Sequence, residues 1–317
     1  MGMLDGKALV VTGAGRGIGR GVAELAAAEG AKVVVNDPGV AMDGSGCDQA
    51  PADQVVDAIR SAGGTAVPNY DSVASMQGGE RIIQTCIDSL GRIDCLINVA
   101  GILRDRMVFN MSEQEWDDVI AVHLKGHFAC TKAAIVLMRQ QRYGRVINFS
   151  SESGLVGNVG QANYGAAKSG IAGFTRVVAR DLGRYGVTCN CIVPRASTRM
   201  TATIRPGGGA AAGQGIPAAE EFQALQPDYI APMTLYLATD DAWNINGQIF
   251  LVHGGTVSVL AHPTPYRTIF KPGDGLWTVD ELSGVVPSLM EDIANPAPPP
   301  GDLEIPGRSQ AQPHAAS

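Results

Sequence analysis

The sequence predicts an α/β fold in which a doubly wound, mostly parallel sheet of seven strands is covered by helices on both faces. The first observation is a set of seven short apolar runs that are rich in β-branched residues. Runs that are apolar on both faces are typical of parallel strands buried between two helical layers. The runs are ALVVT at 8–12, AKVVVN at 31–36, TAVPN at 65–69, DCLINV at 94–99, RVINFS at 145–150, VTCNCIV at 187–193 and QIFLV at 248–252.

The second observation is that helical patterns separate these runs. Strands that alternate with helices on this scale indicate a doubly wound sheet. The third is the composition, because 40 glycines and a hydrophobic content of 45% suit a large buried core with many tight turns. The predicted helices lie near 17–29, 51–62, 73–90, 112–140, 161–183 and 227–239.

Two stretches interrupt the alternation and set the predicted domain boundaries. Residues 203–219 read TIRPGGGAAAGQGIPAA, a composition that predicts a mobile flap. The Pro-rich segment 295–317 is predicted to be a disordered tail. We assign 1–262 to one dinucleotide-binding and catalytic domain, and 263–294 to an extension docked on it.

The bulk charge and the cysteines exclude several classes of partner and site. The chain has 24 basic and 31 acidic residues, a formal net charge of −7, and no long basic run. It is therefore not expected to bind nucleic acid or an anionic membrane. Six cysteines without a Cys-x-x-Cys pair, and no secretory signal, indicate reduced thiols in the cytoplasm. No apolar stretch approaches the ~18 residues of a membrane span, and the end HAAS is not a peroxisomal signal of the Ser-Lys-Leu type.

A glycine-rich turn, TGAGRGIG at 12–19, follows the first predicted strand and opens the first predicted helix. Glycines at such a turn let the backbone approach a pyrophosphate at the positive N-terminus of the helix. Such a turn can also be only a tight connection, but its place between a strand and a helix favours a Rossmann-type dinucleotide site. The candidate binding residues are Gly13, Arg16, Gly17, Ile18 and Gly19.

The residue after the second strand predicts which dinucleotide is used. Asp37 lies where an adenosine ribose is expected, and its carboxylate can accept hydrogen bonds from the ribose hydroxyls. The same carboxylate would repel a 2′-phosphate. Arg16 could attract that phosphate, and Asp37 could be only a solvated turn residue, but the balance favours NAD over NADP.

Two further strand ends carry candidate cofactor residues. Asp71 and Ser72 follow the third strand, where the Asp71 carboxylate could hold the adenine amino group. The fourth strand ends in Asn98, Ala100 and Gly101, which allow the backbone to approach the cofactor. Each could be ordinary turn chemistry, but C-terminal strand ends form the crevice in which this kind of fold binds ligands.

A serine, a tyrosine and a lysine form the candidate catalytic group. Ser151 follows the fifth strand, and Tyr164 comes thirteen residues later on the next predicted helix. Lys168 is four residues beyond Tyr164 and shares its helix face. A Tyr-x-x-x-Lys spacing alone is a weak signal, but a hydroxyl at the strand end and a phenol on the helix can converge on one carbonyl oxygen.

These motifs together resemble the short-chain dehydrogenase/reductase superfamily over about residues 4–260. The stretches VVVNDPG, GGTAVPNYDSV, GNVGQANYGAAKSG and CIVPRASTRMT are further similar to the (3R)-hydroxyacyl-CoA dehydrogenase units of peroxisomal multifunctional enzymes type 2, also called 17β-hydroxysteroid dehydrogenases type 4. The resemblance implies NAD-linked oxidation of a 3-hydroxyacyl-CoA to the 3-ketoacyl-CoA, a β-oxidation step, including one on a steroid side chain. Hydratase activity is not expected.

The residue types suggest how the group would work. Tyr164 would exchange the proton, and lowering its pKa by ~3 units requires about 4 kcal/mol of phenolate stabilisation. Lys168 and the positive charge of the oxidised nicotinamide could supply it, and Lys168 could also hold the nicotinamide ribose. Ser151 would hydrogen-bond the substrate oxygen. Because the hydride passes to or from the cofactor, no metal is expected.

Several features depart from the superfamily pattern or extend it. Val99 stands where most members have a second Asn, and His123 stands where many have an Asn that supports a proton-relay water. The backbone carbonyl of His123 could still position that water. His123 and His127 could also be a metal pair, although a packed helix is the better interpretation. The helices at 112–140 and 161–183 are apolar around much of their surface, which predicts a second packing partner. The family resemblance implies that this partner is another subunit, in a homodimer or homotetramer.

Three alternative functions stay open on the sequence. A hydroxysteroid dehydrogenase would act on a ring hydroxyl, and a 3-oxoacyl-carrier-protein reductase would run the reaction in reverse. Asp37 argues against the reductase, because biosynthetic reduction usually uses NADPH. A non-catalytic NAD-sensing protein is the third alternative, and the intact Ser151, Tyr164 and Lys168 argue against it.

Overall fold

The structure is a computed structural model that describes residues 2–196, 226–273 and 275–300. The predicted flap at 203–219 and residues 301–317 of the predicted tail lie outside the described residues. Contacts divide the chain into two compact units, 1–261 and 262–317. The predicted docking of 263–294 on the main domain stays a prediction.

The first unit is built on a single sheet whose strand order is β3-β2-β1-β4-β5-β6-β7-β8. The first seven strands pair in parallel, which confirms the predicted doubly wound sheet. An eighth strand, not predicted, pairs antiparallel with β7 at the edge. The strands are β1 Ala8–Thr12, β2 Lys32–Asn36, β3 Thr65–Asn69, β4 Cys95–Asn98, β5 Gly144–Phe149, β6 Val187–Pro194, β7 Ile249–His253 and β8 Thr256–Val259.

Helices cover both faces of this sheet. Along β1 the side chains alternate, so that Leu9 and Val11 pack in one hydrophobic cluster and Val10 in another. The α-helices are α1 Gly17–Ala28, α2 Ala50–Ser61, α3 Met76–Leu90, α4 Glu113–Ile120, α5 Gly126–Gln141, α6 Glu152–Leu155, α7 Ala162–Leu182, α8 Ala231–Tyr236 and α9 Val279–Leu289. Short 3₁₀ turns occupy Val108–Asn110, Gly183–Tyr185 and Pro227–Ile230.

The long helix predicted at 112–140 is interrupted in its middle. A one-turn π-helix, Ala121–Lys125, joins α4 to α5. Such single π turns inside α-helices are frequent at functional sites. Glu113–Gln141 is long and apolar enough to cross a membrane by length and composition alone, a test that core helices also pass. In this protein it packs against α3 and α7 beside the sheet.

The strand order places the motif residues at one edge of the sheet. The chain runs from β1 outward to β3 on one side, and returns at β4 to continue on the other side of β1. Thr12, the last residue of β1, is in register with Asn36 at the end of β2 and with Asn98 at the end of β4. The crevice outside the ends of β1 and β4 is the point at which such sheets bind ligands.

Candidate active site

A cavity of about 470 Å³ opens at the carboxyl edge of the sheet. Residues from the loops after β1, β2, β3, β4, β5 and β6 line it, together with the π turn and α7. Most of the residues predicted for the site are among them. They are Gly13, Arg16, Gly17, Ile18, Gly19, Asp37, Ser72, Ala100, Gly101, Ser151, Tyr164 and Lys168.

The glycine turn has the geometry that a pyrophosphate requires. Gly17 has a φ of +53°, in the left-handed region that favours glycine. A Cβ on Gly19 would lie 2.1 Å from the carbonyl oxygen of Gly13, so only glycine lets α1 begin this close to β1. No side chain caps the N-terminus of α1 at Arg16, and its first turn holds no acidic residue. Its first N–H groups are therefore suited to an anion.

Asp37 is fixed in the cavity wall by two backbone N–H groups. Its Oδ2 accepts a hydrogen bond from Gly15 N at 2.9 Å, and its Oδ1 accepts one from Gly39 N at 2.7 Å. Arg16 donates to the carbonyl oxygen of Val40 at 3.4 Å. Each carboxylate oxygen has a further lone pair, so Asp37 can also accept hydrogen bonds from ribose hydroxyls.

Asp71 and Asn98, two of the predicted cofactor residues, do not line the cavity. The Asp71 carboxylate forms a 2.6 Å ion pair with Arg81 and accepts a hydrogen bond from Asn69 at 3.0 Å. Asn98 is buried, and its amide donates to Asn148 Oδ1 at 3.0 Å on the neighbouring strand. Both side chains connect elements of the protein to each other.

The three candidate catalytic residues lie together in the cavity wall. Ser151 lies two residues after the end of β5 and is the N-cap of α6. Tyr164 and Lys168 are one turn apart on α7, and the Lys168 Nζ is 5.5 Å from the centre of the Tyr164 ring. Lys168 is buried, and its Nζ donates a 2.6 Å hydrogen bond to the carbonyl oxygen of Phe149.

Burial controls the protonation of this pair in the protein alone. It raises the pKa of Tyr164 to about 12, although a hydrogen bond with Ser151 works in the opposite direction. Burial also lowers the pKa of Lys168 to about 8. The expected lowering of the Tyr164 pKa concerns Lys168 together with an oxidised nicotinamide; in the protein alone, desolvation of the phenolate is the largest effect. A further positive charge, such as that of an oxidised nicotinamide, is needed to lower the pKa of Tyr164 below its ordinary value.

A family model described as short chain dehydrogenase matches residues 7–208, and that range contains every residue of the cavity wall. The chain belongs to the short-chain dehydrogenase family. It is an oxidoreductase, and the resemblance inferred from its motifs is confirmed.

Individual relatives place this dehydrogenase near enzymes of acyl-CoA metabolism. The chain is 50% identical over 233 residues to the peroxisomal multifunctional enzyme type 2 of Drosophila melanogaster, which covers 74% of this chain and 36% of that protein. It is 41% identical to the hydroxyacyl-CoA dehydrogenase ChsB1 of Mycobacterium tuberculosis, over 89% of this chain and 88% of that one. A crystal structure of a short chain dehydrogenase from Mycobacterium avium is 43% identical, with a TM-score of 0.79 over 95% of this chain and 100% of that one. The chain thus spans about a third of the length of the Drosophila relative.

The π turn brings a histidine into the site of this dehydrogenase. His123 lines the cavity, and its ring packs edge-on against Tyr164 with 5.1 Å between the ring centres. Its backbone carbonyl accepts hydrogen bonds from Gly126 N and, at 2.7 Å, from His127 Nδ1. A water on this carbonyl would be a third donor, because both lone pairs of the oxygen already have donors. His127 is thereby a hydrogen-bond partner of His123.

Sequence reasoning missed several parts of the wall, including the loop after β2 and Gln161. The loop after β2 contributes residues 40–44, and Leu103 N donates to Met42 O at 2.9 Å, which ties this loop to the chain after β4. Gln161 is buried beside Tyr164, where it donates to Asp105 Oδ2 at 2.8 Å and accepts from Ser153 at 2.8 Å. Gln161 lies in the stretch GQANYGAAKSG, whose pattern points to Tyr164 and Lys168 and not to the glutamine.

Proposed function

We propose that this enzyme oxidises a (3R)-3-hydroxyacyl-CoA to the 3-ketoacyl-CoA with NAD. The observation that carries the proposal is the identity of 41% to a hydroxyacyl-CoA dehydrogenase over nearly the full length of both chains. The co-location of Ser151, Tyr164 and Lys168 beside a glycine-lined dinucleotide crevice supports it. The step is that of a β-oxidation, and an acyl chain carried by a steroid is among the substrates proposed.

The residues of the crevice fit a dinucleotide. The uncapped N-terminus of α1 would hold the pyrophosphate, and Gly17 and Gly19 leave the backbone accessible. Asp37 would accept hydrogen bonds from the adenosine ribose, which favours NAD over NADP. When it is bound, NAD supplies the hydride acceptor.

The side chains of the wall would act on the alcohol. Ser151 would donate a hydrogen bond to the substrate oxygen and hold it next to Tyr164. The phenolate of Tyr164 would take the hydroxyl proton as the carbonyl forms. Lys168 would place its positive charge near that phenolate and hold the nicotinamide ribose. Asp71 and Asn98 would support the cofactor indirectly, because they hold the ends of β3 and β4 in place beside it.

We further propose a cytoplasmic homodimer or homotetramer. Phe128 on α5 is 44% exposed, Val136 on the same helix 51% and Val177 on α7 57%, so each helix carries large apolar side chains on its outer surface. Helices that are apolar beyond one stripe favour a second packing partner, and another subunit would provide it.

The test is an absorbance assay of NADH formation across a substrate panel. The panel contains (3R)- and (3S)-3-hydroxyacyl-CoA thioesters of two chain lengths, a (3R)-3-hydroxyacyl carrier protein, and a free steroid with a ring hydroxyl. We expect turnover of the (3R)-thioesters, and a kcat at least ~10²-fold lower with the Tyr164→Phe variant. Turnover of the ring steroid without turnover of any CoA thioester would overturn the proposal.

A further inference from the structure

The loop between β2 and α2 is closed at its base, so that residues 38–48 form an Ω-loop. Asp48 N donates to the carbonyl oxygen of Pro38 at 3.2 Å. Gly39 has a φ of +69°, and a Cβ there would overlap the carbonyl oxygen of Asp48. The two arms of the loop therefore touch where it leaves the sheet. We call residues 38–48 the strap.

The strap crosses the crevice at the carboxyl edge of the sheet. It begins beyond the end of β2, and its tip contacts the chain that follows β4. Leu103 N donates to Met42 O at 2.9 Å, and a Cβ on Gly44 would lie 3.1 Å from Ile102 Cδ1. Because β1 lies between β2 and β4 in the sheet, the strap spans two strand spacings, about 10 Å. It thus passes across the glycine turn that follows β1.

One side of the strap faces the cavity and the other faces solvent. Residues 40–44 line the cavity together with the glycine turn, so the empty volume lies between these two segments. Along this part of the strap Val40, Met42 and Gly44 are half-buried, whereas Ala41 and Asp43 are exposed. Such alternation is typical of an extended segment with one face covered. The strap is therefore a cover for the part of the cavity that contains the glycine turn.

Small contacts hold the tip of the strap across the crevice. Val40 packs against a hydrophobic cluster that contains Ile102, and Arg16 Nη1 donates to Val40 O at 3.4 Å. The backbone bond to Leu103 is a third contact. Segments with few buried apolar contacts open locally at a low free energy. The tip can therefore open while the base stays closed.

We propose that the strap covers the bound dinucleotide and is the gate through which the dinucleotide is exchanged. A dinucleotide in the crevice outside β1 and β4 lies between the glycine turn and residues 40–44, in contact with both. It enters and leaves only when the tip of the strap releases Leu103. The strap thereby retains the cofactor during turnover, and the rate of cofactor exchange follows the rate of opening. The inference rests on the proposed function only for the presence of a dinucleotide in the crevice.

The first test locks the strap with a disulfide. The parent protein carries Cys47→Ser, which removes an exposed thiol and leaves the buried cysteines in place. Met42→Cys and Leu103→Cys are added to it, because their backbone bond brings these residues within the roughly 4.4–6.8 Å between Cα atoms that a disulfide spans. Binding and release of NADH are followed by its fluorescence in stopped flow, and the crosslink is verified by mass.

The order of oxidation and loading should determine the result. When it is oxidised before NADH is added, the locked variant should bind NADH at least ~10-fold more slowly than the parent. When it is oxidised after loading, it should release NADH at least ~10-fold more slowly. A reductant should restore both rates. Parental rates in a protein with a verified crosslink overturn the inference.

The second test uses the wild-type protein and needs no crosslink. With saturating NADH, hydrogen–deuterium exchange should slow in peptides that cover 38–48 and Leu103, as well as in the glycine turn. Slowing in the glycine turn alone overturns the inference, whether or not the disulfide forms. Val40→Ala loosens the strap and should raise the release rate of NADH by about 3- to 10-fold. The matched control Val257→Ala, on the edge strand β8, should release NADH at the wild-type rate.

These readouts separate the inference from the proposed function. If the wild type binds NADPH and not NADH, the cofactor assignment fails, and the strap is tested in the same way with NADPH. If NADH is retained as expected but no CoA thioester is oxidised, the proposed function fails and the inference stands.

Discussion

Replacement of Asp37 tests the cofactor assignment most directly. A carboxylate about 4 Å from one charge of a 2′-phosphate opposes it by about 4 kcal/mol at an effective dielectric constant of 20. Asp37 is half-buried, so salt and water reduce this value. We therefore expect the wild-type enzyme to prefer NAD over NADP by at least ~10-fold in kcat/KM, or about 1.4 kcal/mol.

The hydrogen bonds of Asp37 determine which variant to use. Its two oxygens accept from Gly15 N and Gly39 N. Asp37→Ala would leave both N–H groups without an acceptor, at a cost of about 1 kcal/mol for each if water does not replace it. Asp37→Asn removes the charge and keeps one acceptor, so it separates electrostatics from stability.

The assay measures kcat/KM for NAD and NADP with Asp37→Asn and with Asp57→Asn as the matched control. Asp57 lies on the exposed side of α2, so its variant loses the same charge outside the cavity. Asp37→Asn should reduce the preference by about 5- to 10-fold, mainly through better use of NADP. Equal use of both cofactors by the wild type would refute the reasoning, as would the same ratio in both variants.

The remaining predictions concern catalysis, assembly and alkaline stability. Tyr164→Phe should keep its affinity for NAD and lose at least ~10²-fold in kcat. Ser151→Ala should lower kcat without a shift of its pH profile. Stopped-flow and steady-state rate measurements check both variants. Lys168→Ala should weaken NAD binding and move the rising limb of the oxidation rate to higher pH, and an unmoved limb would contradict the role given to its charge. Light scattering at micromolar concentration should give a dimer or tetramer, whereas Val136→Glu should shift the mass toward the monomer. Burial raises the pKa of five thiols above the ordinary value near 9. Their contribution to stability is therefore complete below pH 9 and is lost as the pH rises through their folded pKa values, by about 1.4 kcal/mol per thiol and pH unit. The urea midpoint of unfolding should fall steeply above pH 9, and a midpoint that stays constant to pH 11 would contradict this. These thiols are Cys86, Cys95, Cys130, Cys189 and Cys191.

The seven parallel strands could be predicted because each is a β-branched run buried on both faces. The eighth could not, because Thr256–Val259 is a short edge strand with mostly exposed side chains. The π turn at Ala121–Lys125 was also hidden, since one extra residue in a helical turn leaves the apolar pattern nearly unchanged. That turn carries His123, for which the spacing to His127 allowed a metal pair but favoured a packed helix.

The convergence of Ser151, Tyr164 and Lys168 in one cavity wall could be predicted, because their residue types and spacing are specific in combination. The direction in which the pKa of Tyr164 is shifted in the protein alone could not be predicted, because it depends on burial, which no local pattern encodes. The full extent of the cavity wall was hidden for a similar reason. Residues 40–44 are tied to the wall by contacts that include the hydrogen bond from Leu103 N to Met42 O, between residues more than fifty positions apart along the chain.

The polar residues at the strand ends show why position alone overestimates a binding site. Asn36 donates to Asn69 Oδ1 at 2.8 Å, and Asn98 donates to Asn148 Oδ1 at 3.0 Å, each between residues in register on neighbouring strands. Thr12 Oγ1 accepts from the backbone N–H groups of residues 99 and 100. Buried amides that satisfy each other in this way hold the strand ends at fixed spacing. These four asparagines do not line the cavity. A substitution such as Asn98→Ala is therefore expected to act on stability before it acts on cofactor contact.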